Sequence, residues 1–130
     1  MNHTPKIAIF LSTALISILL IACGANETNL KISKDKHAAE ALSIARQNGC
    51  LNCHSIGSSI IGPAWVLVSE RYKASTDARE MLINKVRTGG NGSWNEITGG
   101  ALMPPQTRVS REHISLIVDF ILSLKKEEGK

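Results

Sequence analysis

Two blocks of the chain carry apolar residues at the spacing of an amphipathic helix. In residues 35–48 and 110–124 they recur at positions i, i+3, i+4 and i+7, which form one face of a helix. They are Ala38, Ala41, Leu42 and Ala45 in the first block and Ile114, Ile117, Val118, Ile121 and Leu122 in the second. Ser110 is a suitable N-cap for the second block. Lys125 and Lys126 follow where a helix dipole favours positive charge.

Two shorter helices are predicted from their start and stop signals. Residues 64–72 follow Gly62-Pro63, and proline is favoured at or just before a first helical turn. Residues 77–88 begin with Asp77 and Glu80 at the spacing of a capping box and end at Gly89-Gly90. Because no segment alternates with a period of two, we predict an all-α fold of about four short helices.

Residues 89–109 predict one long loop. The segment GGNGSWNEITGGALMPPQTRV is rich in glycine and proline but also contains Trp94 and Met103. Loops of this length in a compact domain are usually functional or disordered. Its apolar residues indicate that it packs against something.

The N-terminus carries an uninterrupted apolar run of a different kind. Residues 7–22, IAIFLSTALISILLIA, contain no charge and follow Lys6. A bilayer span needs about 20 residues, so the run fits the apolar region of a signal peptide better, with an uncleaved membrane anchor as the alternative. The run ends in Leu20-Ile21-Ala22-Cys23, which resembles the lipobox of bacterial lipoproteins.

This resemblance implies cleavage before Cys23 and lipidation of that cysteine. The predicted organisation is a signal peptide over 1–22, a polar tether over 23–35 and one domain over 36–130. Cleavage leaves 14 basic and 11 acidic residues, a net charge of +3. With no arginine-rich run and little aromatic interleaving, nucleic acid is not an expected partner.

The remaining two cysteines form one motif, Cys50-Leu51-Asn52-Cys53-His54. A redox-active C-x-x-C needs a βαβ context, and a zinc site needs a second ligand pair; the sequence offers neither. C-x-x-C-H is the attachment motif of c-type haem, in which two thiols add to the vinyl groups and the histidine reaches the iron. We therefore predict one covalent haem c on Cys50 and Cys53, with His54 as an iron ligand. A large apolar cofactor would also supplement a core with only four aromatic residues after residue 22.

The sixth iron position has several candidates outside the motif. Met81 lies mid-helix and is expected to fill the core. His37 is too near the motif in sequence, and His113 lies in a first helical turn where solvent is its expected partner. Met103 lies 49 residues after His54 and is followed by Pro104-Pro105, which restrict the backbone. Met103 is the predicted ligand, with an open iron as the alternative.

These motifs together resemble those of the small bacterial monohaem class I cytochromes c. The resemblance covers residues 36–126 and rests, in order, on the helix before GCLNCHSIG, then IGPAW, RTGGNGSW and LMPPQ, and the closing amphipathic helix. It implies the class I cytochrome c fold around one haem. It also implies that the Pro63 carbonyl binds the proximal imidazole and that Trp94 packs at the haem and reaches a propionate.

The chain departs from the family pattern in two places. Nine positions separate Trp94 from Met103, more than in the shortest family members, and Gln106 follows MPP where relatives often carry an Asn that bonds the ligand sulfur. Ala45 also lies near the place of an aromatic residue, with Leu42, Ile44 and Phe120 available for that contact.

The family implies a periplasmic one-electron carrier, not an enzyme, and a monomer. Its redox partners would be proteins such as a quinol-oxidising complex, a terminal oxidase, a nitrite reductase or a peroxidase, steered by cations such as Lys73, Arg87 or Arg108 around the haem edge. The alternative is a ligand-binding or sensor haem protein with a five-coordinate iron. The sequence carries only one C-x-x-C-H, and a peroxidase normally needs a second haem.

Replacing Cys23 tests the lipid anchor. In Cys23→Ser the acyl acceptor is lost, so we expect the protein to leave the membrane fraction for the soluble one, measured by fractionation of expressing cells. Retention of the variant in the membrane would support the uncleaved anchor instead. Cys23→Ala serves as the matched control, because it removes the thiol without leaving a hydroxyl.

Overall fold

The computed structural model describes residues 24–125, with side chains from residue 35 onward. Cys23 and the predicted signal peptide lie outside this range, as does Lys126. The chain divides into two units at Ser33, and the second unit contains the core and the cavity described below. Within residues 24–125 no helix has the length and apolar character needed to cross a membrane.

The described chain is helical, with loops of irregular structure. The helices are α1 (Gly24–Gln47), α2 (Trp65–Tyr72), α3 (Ala78–Thr88), α4 (Asn95–Thr98) and α5 (Arg111–Ser123), with a 3₁₀ turn over Cys50–Asn52. Extended pairing between residues 24 and 125 is limited to two isolated bridges. The predicted all-α fold is therefore confirmed.

The first helix begins earlier than the predicted Asp35. α1 starts at Gly24, so residues 24–35 of the predicted tether have helical backbone. No glycine or proline lies between Ala25 and Asn48, and nothing in the local sequence therefore interrupts the helix. The function of residues 23–35 as a tether stays a prediction.

The closing helix α5 organises the core. It packs against both α2 and α3. One buried cluster combines Ile44, Ala45, Trp65, Val68, Ile117 and Ile121, and a second combines Ile83, Ile114 and Val118. The apolar face predicted from the spacing in α5 thus contributes side chains to both clusters.

The end of α1 meets the core at its small residues. Ala41 and Ala45 are buried, and Leu42 and Phe120 pack on the cluster that contains Ile44. Leu42, Ile44 and Phe120 are the residues predicted to make up for the missing aromatic side chain. Alanine at position 45 lets the backbone approach closely, and its larger neighbours fill the surrounding space.

Polar contacts fix the ends of α5. Ser110 caps its N-terminus by accepting a hydrogen bond from the His113 amide at 3.2 Å. At its other end the buried Ser69 hydroxyl donates to the carbonyls of Leu122 and Leu124, at 3.2 and 2.8 Å. These bonds satisfy backbone groups that have no partner inside a helix.

The start of α3 differs from the predicted capping box. Asp77 occupies the N-cap position, but its side chain makes no capping hydrogen bond. Glu80 instead pairs with Arg111 on α5. Arg79 forms a fork with Asp119 of α5, with N–O distances of 2.7 and 3.0 Å. Charge pairs between helices take the place of the local cap here.

A core substitution in α3 tests the packing. Ile83 is fully buried in the second cluster, so Ile83→Ala should lower the unfolding free energy by about 2–5 kcal/mol through lost burial and the cavity left behind. Chemical denaturation of the haem-loaded protein measures it. The control is Ile97→Ala, at a side chain that is 42% exposed, where we expect a change within about 0.5 kcal/mol. Equal losses in both variants would contradict this packing.

Candidate functional site

The C-x-x-C-H motif forms a tight turn directly after α1. Gly49 has a φ of 73°, a conformation that glycine adopts without strain, and it turns the chain away from the helix. The amides of Cys53 and His54 both bond to the Cys50 carbonyl, at 3.2 and 3.0 Å. This turn brings both cysteines and the histidine to the wall of one cavity.

Cys50 and Cys53 are half-buried free thiols. Burial raises the pKa of the Cys50 thiol, and the neighbouring Cys53 adds to the increase. The surroundings of Cys50 therefore favour an uncharged sulfur over a thiolate. A thioether is such a sulfur, so this environment suits the attached form of Cys50.

The His54 imidazole is held by one hydrogen bond. Its Nδ1 lies 2.8 Å from the Pro63 carbonyl oxygen. A carbonyl can only accept, so Nδ1 carries the proton and Nε2 keeps the lone pair that a metal requires. The contact that the resemblance implied for Pro63 is thus present in the structure.

Packing reinforces this orientation. The Trp65 ring stacks near the imidazole at a centroid distance of 6.3 Å, and Phe120 meets Trp65 edge-on at 6.1 Å. Gly62 passes so close to His54 that a Cβ there would lie 2.3 Å from the ring carbon Cε1. The chain at Gly62 is itself tied to the motif by a 2.8 Å bond from its amide to the Cys53 carbonyl.

Met103 is fixed on another wall of the same cavity. Its amide and carbonyl pair with Gly90 at 3.0 and 2.9 Å. A Cβ on Gly89 would lie 2.3 Å from the Met103 carbonyl oxygen, so only glycine allows the two segments to approach. The backbone N–H of Gln106 donates a hydrogen bond to the Val86 carbonyl at 3.0 Å. Met103 and the two prolines after it are therefore anchored at both ends.

The Gln106 side chain has a partner other than the methionine sulfur. Its Nε2 donates to the Pro104 carbonyl at 3.1 Å. The longer side chain folds back onto the backbone that follows Met103. Its contribution to the site is thus to stiffen this turn.

These walls line one open, largely apolar cavity. The wall includes all of the residues predicted for the cofactor within the described chain: Cys50, Cys53, His54, Pro63, Trp94 and Met103. Sulfur, imidazole and thioether donors facing one apolar space are the set that haem c requires, and the residues fit that group.

The other candidate ligands lie elsewhere. His37 and His113 are exposed and absent from the cavity wall. Met81, predicted to fill the core, is instead 41% exposed. That prediction was wrong because the apolar face of α3 turns Leu82, Ile83 and Val86 inward and leaves position 81 outside.

The cation at the cavity is Lys85, which sequence reasoning missed. Lys73, Arg87 and Arg108 do not line the wall, and Lys73 pairs with Glu70 at 2.5 Å. Lys85 lines it, and no carboxylate among the described side chains pairs with it. Helical spacing from Leu82, at i+3, was the signal that could have placed Lys85 on the inward face.

Comparison with known proteins agrees with this geometry. The family model described as Cytochrome c matches residues 38–125. The chain belongs to the cytochrome c family. Its single C-x-x-C-H motif and cavity therefore serve one covalent haem c, and its function is electron transfer.

Relatives of this cytochrome c span several bacteria. It is 33% identical to cytochrome c2 of Rhodocyclus tenuis over 71% of the chain and the whole of that relative. It is 36% identical to cytochrome c-551 of Allochromatium vinosum over 64% of the chain and 84% of that relative. The crystal structure of Nitrosomonas europaea cytochrome c552 aligns with a TM-score of 0.60 and 32% identity, over 65% of this chain and 99% of that one.

The close approach of Gly62 to His54 can be tested by one methyl group. Gly62→Ala places a Cβ against the imidazole, so the ring must shift away from Pro63. We expect a loss of about 1–3 kcal/mol of stability, as for other overpacked sites, and displaced imidazole proton signals in NMR spectra of the haem-loaded protein.

Gly57→Ala is the matched control. Gly57 has no atom within 4 Å of an added Cβ and no positive φ. The same change there should alter the unfolding free energy by no more than about 0.5 kcal/mol and leave the imidazole proton signals unshifted. If Gly62→Ala behaved like this control, the described position of the imidazole would be incorrect.

Proposed function

We propose that this cytochrome carries single electrons on a haem c whose iron is ligated by both His54 and Met103. Cys50 and Cys53 would hold the porphyrin through thioether bonds. The observation that supports this proposal is that His54 and Met103, from segments 49 residues apart, line one cavity with both cysteines. Haem c supplies an iron that alternates between two oxidation states.

The role of the chain is to keep the two ligands in place. The Pro63 carbonyl fixes the imidazole through Nδ1, which leaves Nε2 for the iron. The backbone pair between Gly90 and Met103 fixes the thioether. Ligands held in this way move little between oxidation states, and a thioether raises the reduction potential of a histidine-ligated haem.

Lys85 and Trp94 would complete the surroundings of the cofactor. The Lys85 ammonium lies at the wall without a carboxylate partner among residues 35–125, so it can offset the charge of a haem propionate. Trp94 adds an aromatic surface to the same wall. Trp94 would help to exclude water from the cofactor, and Lys85 would compensate its negative charge.

Electron partners would meet the protein at the cavity mouth. Ile61 and Leu102 line the cavity and are 51% and 65% exposed, which gives the mouth an apolar rim. A small and transient interface of this kind suits a carrier that must release each partner. The proposed partners are a quinol-oxidising complex as donor and a terminal oxidase or reductase as acceptor.

The proposed location is the periplasmic side of a bacterial membrane. Covalent haem attachment and the signal-like N-terminus over residues 1–22 support export. Lipidation at Cys23 would anchor the protein. On this proposal the protein is a carrier and not an enzyme, because His54 and Met103 would fill the two iron positions that the porphyrin leaves open and no position would remain for a substrate.

Replacing Met103 tests the ligation and the function together. Met103→Ala should remove the weak red sulfur-to-iron absorption band of the oxidised protein, lower the reduction potential and let carbon monoxide bind the reduced form readily. Spectroscopy and redox titration measure these changes. Met81→Ala is the matched control, since this exposed methionine should leave all three unchanged.

If the parent protein lacks this absorption band and its reduced form binds carbon monoxide readily, the result would support the five-coordinate sensor instead. A band that persists in Met103→Ala but disappears in Met81→Ala would reverse the ligand assignment.

A further inference from the structure

The loop that carries Trp94, Asn91–Leu102, has few hydrogen bonds to the rest of the described chain. Within Asn91–Leu102 the backbone and hydroxyl bonds are local, such as those from Ile97 and Thr98 to the Trp94 carbonyl. Among residues 35–125, the bond from Arg71 Nη1 to the Ser93 carbonyl, at 2.5 Å, is the one that joins this loop to another part of the chain. The loop is otherwise held by the pair between Gly90 and Met103 at its base and by the packing of Trp94 against the main buried cluster.

The same arginine covers the indole. The Arg71 guanidinium lies 4.5 Å from the centre of the Trp94 ring, and Tyr72 meets that ring edge-on at a centroid distance of 6.5 Å. A planar guanidinium can stack on an aromatic face while its edge donates a hydrogen bond, which an ammonium cannot do. Arg71 therefore holds both the loop backbone and its largest side chain from the last turn of α2.

This loop is a wall of the cavity. Ser93, Trp94 and Leu102 line it, and the loop ends at Met103. Near the start of the loop Gly92 has a φ of 91° and no atom within 4 Å of an added Cβ, so few contacts hold this part of the loop. Within residues 35–125 one lateral hydrogen bond joins this wall to α2, and its loss would let the wall between Gly90 and Met103 move outward and admit water or a small ligand.

We propose that Arg71 is a positioning residue, which holds Trp94 against the cavity and limits the access of external ligands to the iron. This inference rests on the proposed ligation by Met103. It assigns Arg71 a role that acts through Trp94, distinct from the contribution of its charge.

The first test uses the full-length, haem-loaded protein and imidazole as the probe. Arg71→Gln should bind imidazole to the oxidised iron roughly two- to five-fold faster, the factor expected from an exposed cation–π contact, and should shift the Trp94 indole signal in NMR spectra. Arg71→Lys keeps the charge but cannot stack on the indole and donate to the Ser93 carbonyl at once, so it should also bind imidazole faster than the parent protein and shift the indole signal. Arg87→Gln removes an equal charge from an exposed position on α3 and should match the parent protein.

The second test separates action through Trp94 from an independent effect. In the double variant Arg71→Gln/Trp94→Leu, imidazole should bind at the rate of Trp94→Leu alone, because the group that Arg71 positions is absent. Multiplied effects of the two changes would overturn the proposal, as would an Arg71→Gln protein with an unchanged rate and an unshifted indole signal.

The outcomes also separate this inference from the proposed function. If Met103 were not a ligand, the parent protein would lack the sulfur-to-iron band and would bind imidazole without a barrier. The Trp94 indole signal of Arg71→Gln and Arg71→Lys would still decide whether the arginine positions the ring. Indole signals that stay unshifted in both variants would overturn the role of Arg71 whichever ligand the iron has.

Discussion

The hydrogen bond between His54 Nδ1 and the Pro63 carbonyl is the contact on which the rest of the site depends. It fixes the tautomer of the imidazole and therefore which nitrogen faces the cavity. The bond requires the chain to pass directly against the ring, and Gly62 is the residue that allows this approach. Trp65, the first residue of α2, packs beside the imidazole and is itself part of the main buried cluster, so it links His54 to the core.

The wall of the cavity that carries Met103 is also held by backbone contacts. Met103 has no side-chain hydrogen bond to orient it, so its position comes from backbone pairing with Gly90 and from the glycine at position 89. In both walls a glycine permits an approach that any side chain would block. Backbone groups thus hold both walls, and His54 Nε2 and the Met103 thioether are left for the cofactor.

The sequence was most informative where the chemistry is local. The motif over residues 50–54 needs its residue types at fixed spacing, and the apolar face of α5 repeats strongly enough to predict both the helix and its buried positions. The class I cytochrome c fold, which the resemblance to that family implied, is confirmed. The assignment of individual site residues agrees with the cavity wall and stays a proposal until it is tested.

Features that depend on distant parts of the chain could not be predicted in this way. Nothing near Arg71 in the sequence indicates that it stacks on Trp94, because that contact joins residues 23 positions apart, one in α2 and one in a loop. The capping box at Asp77 failed because Glu80 pairs with an arginine on another helix. The start of α1 was missed because a polar stretch without breakers is helical here despite its lack of an apolar face.

The placement of α5 has a consequence for how the protein matures. The attachment motif lies well before α5 in the chain, whereas α5 supplies side chains to both buried clusters. The motif precedes α5 in the chain, and neither cluster can form until α5 joins it. Haem attachment would therefore be possible on a chain whose core is still open, and the packing of the last helix would then close the structure around the cofactor.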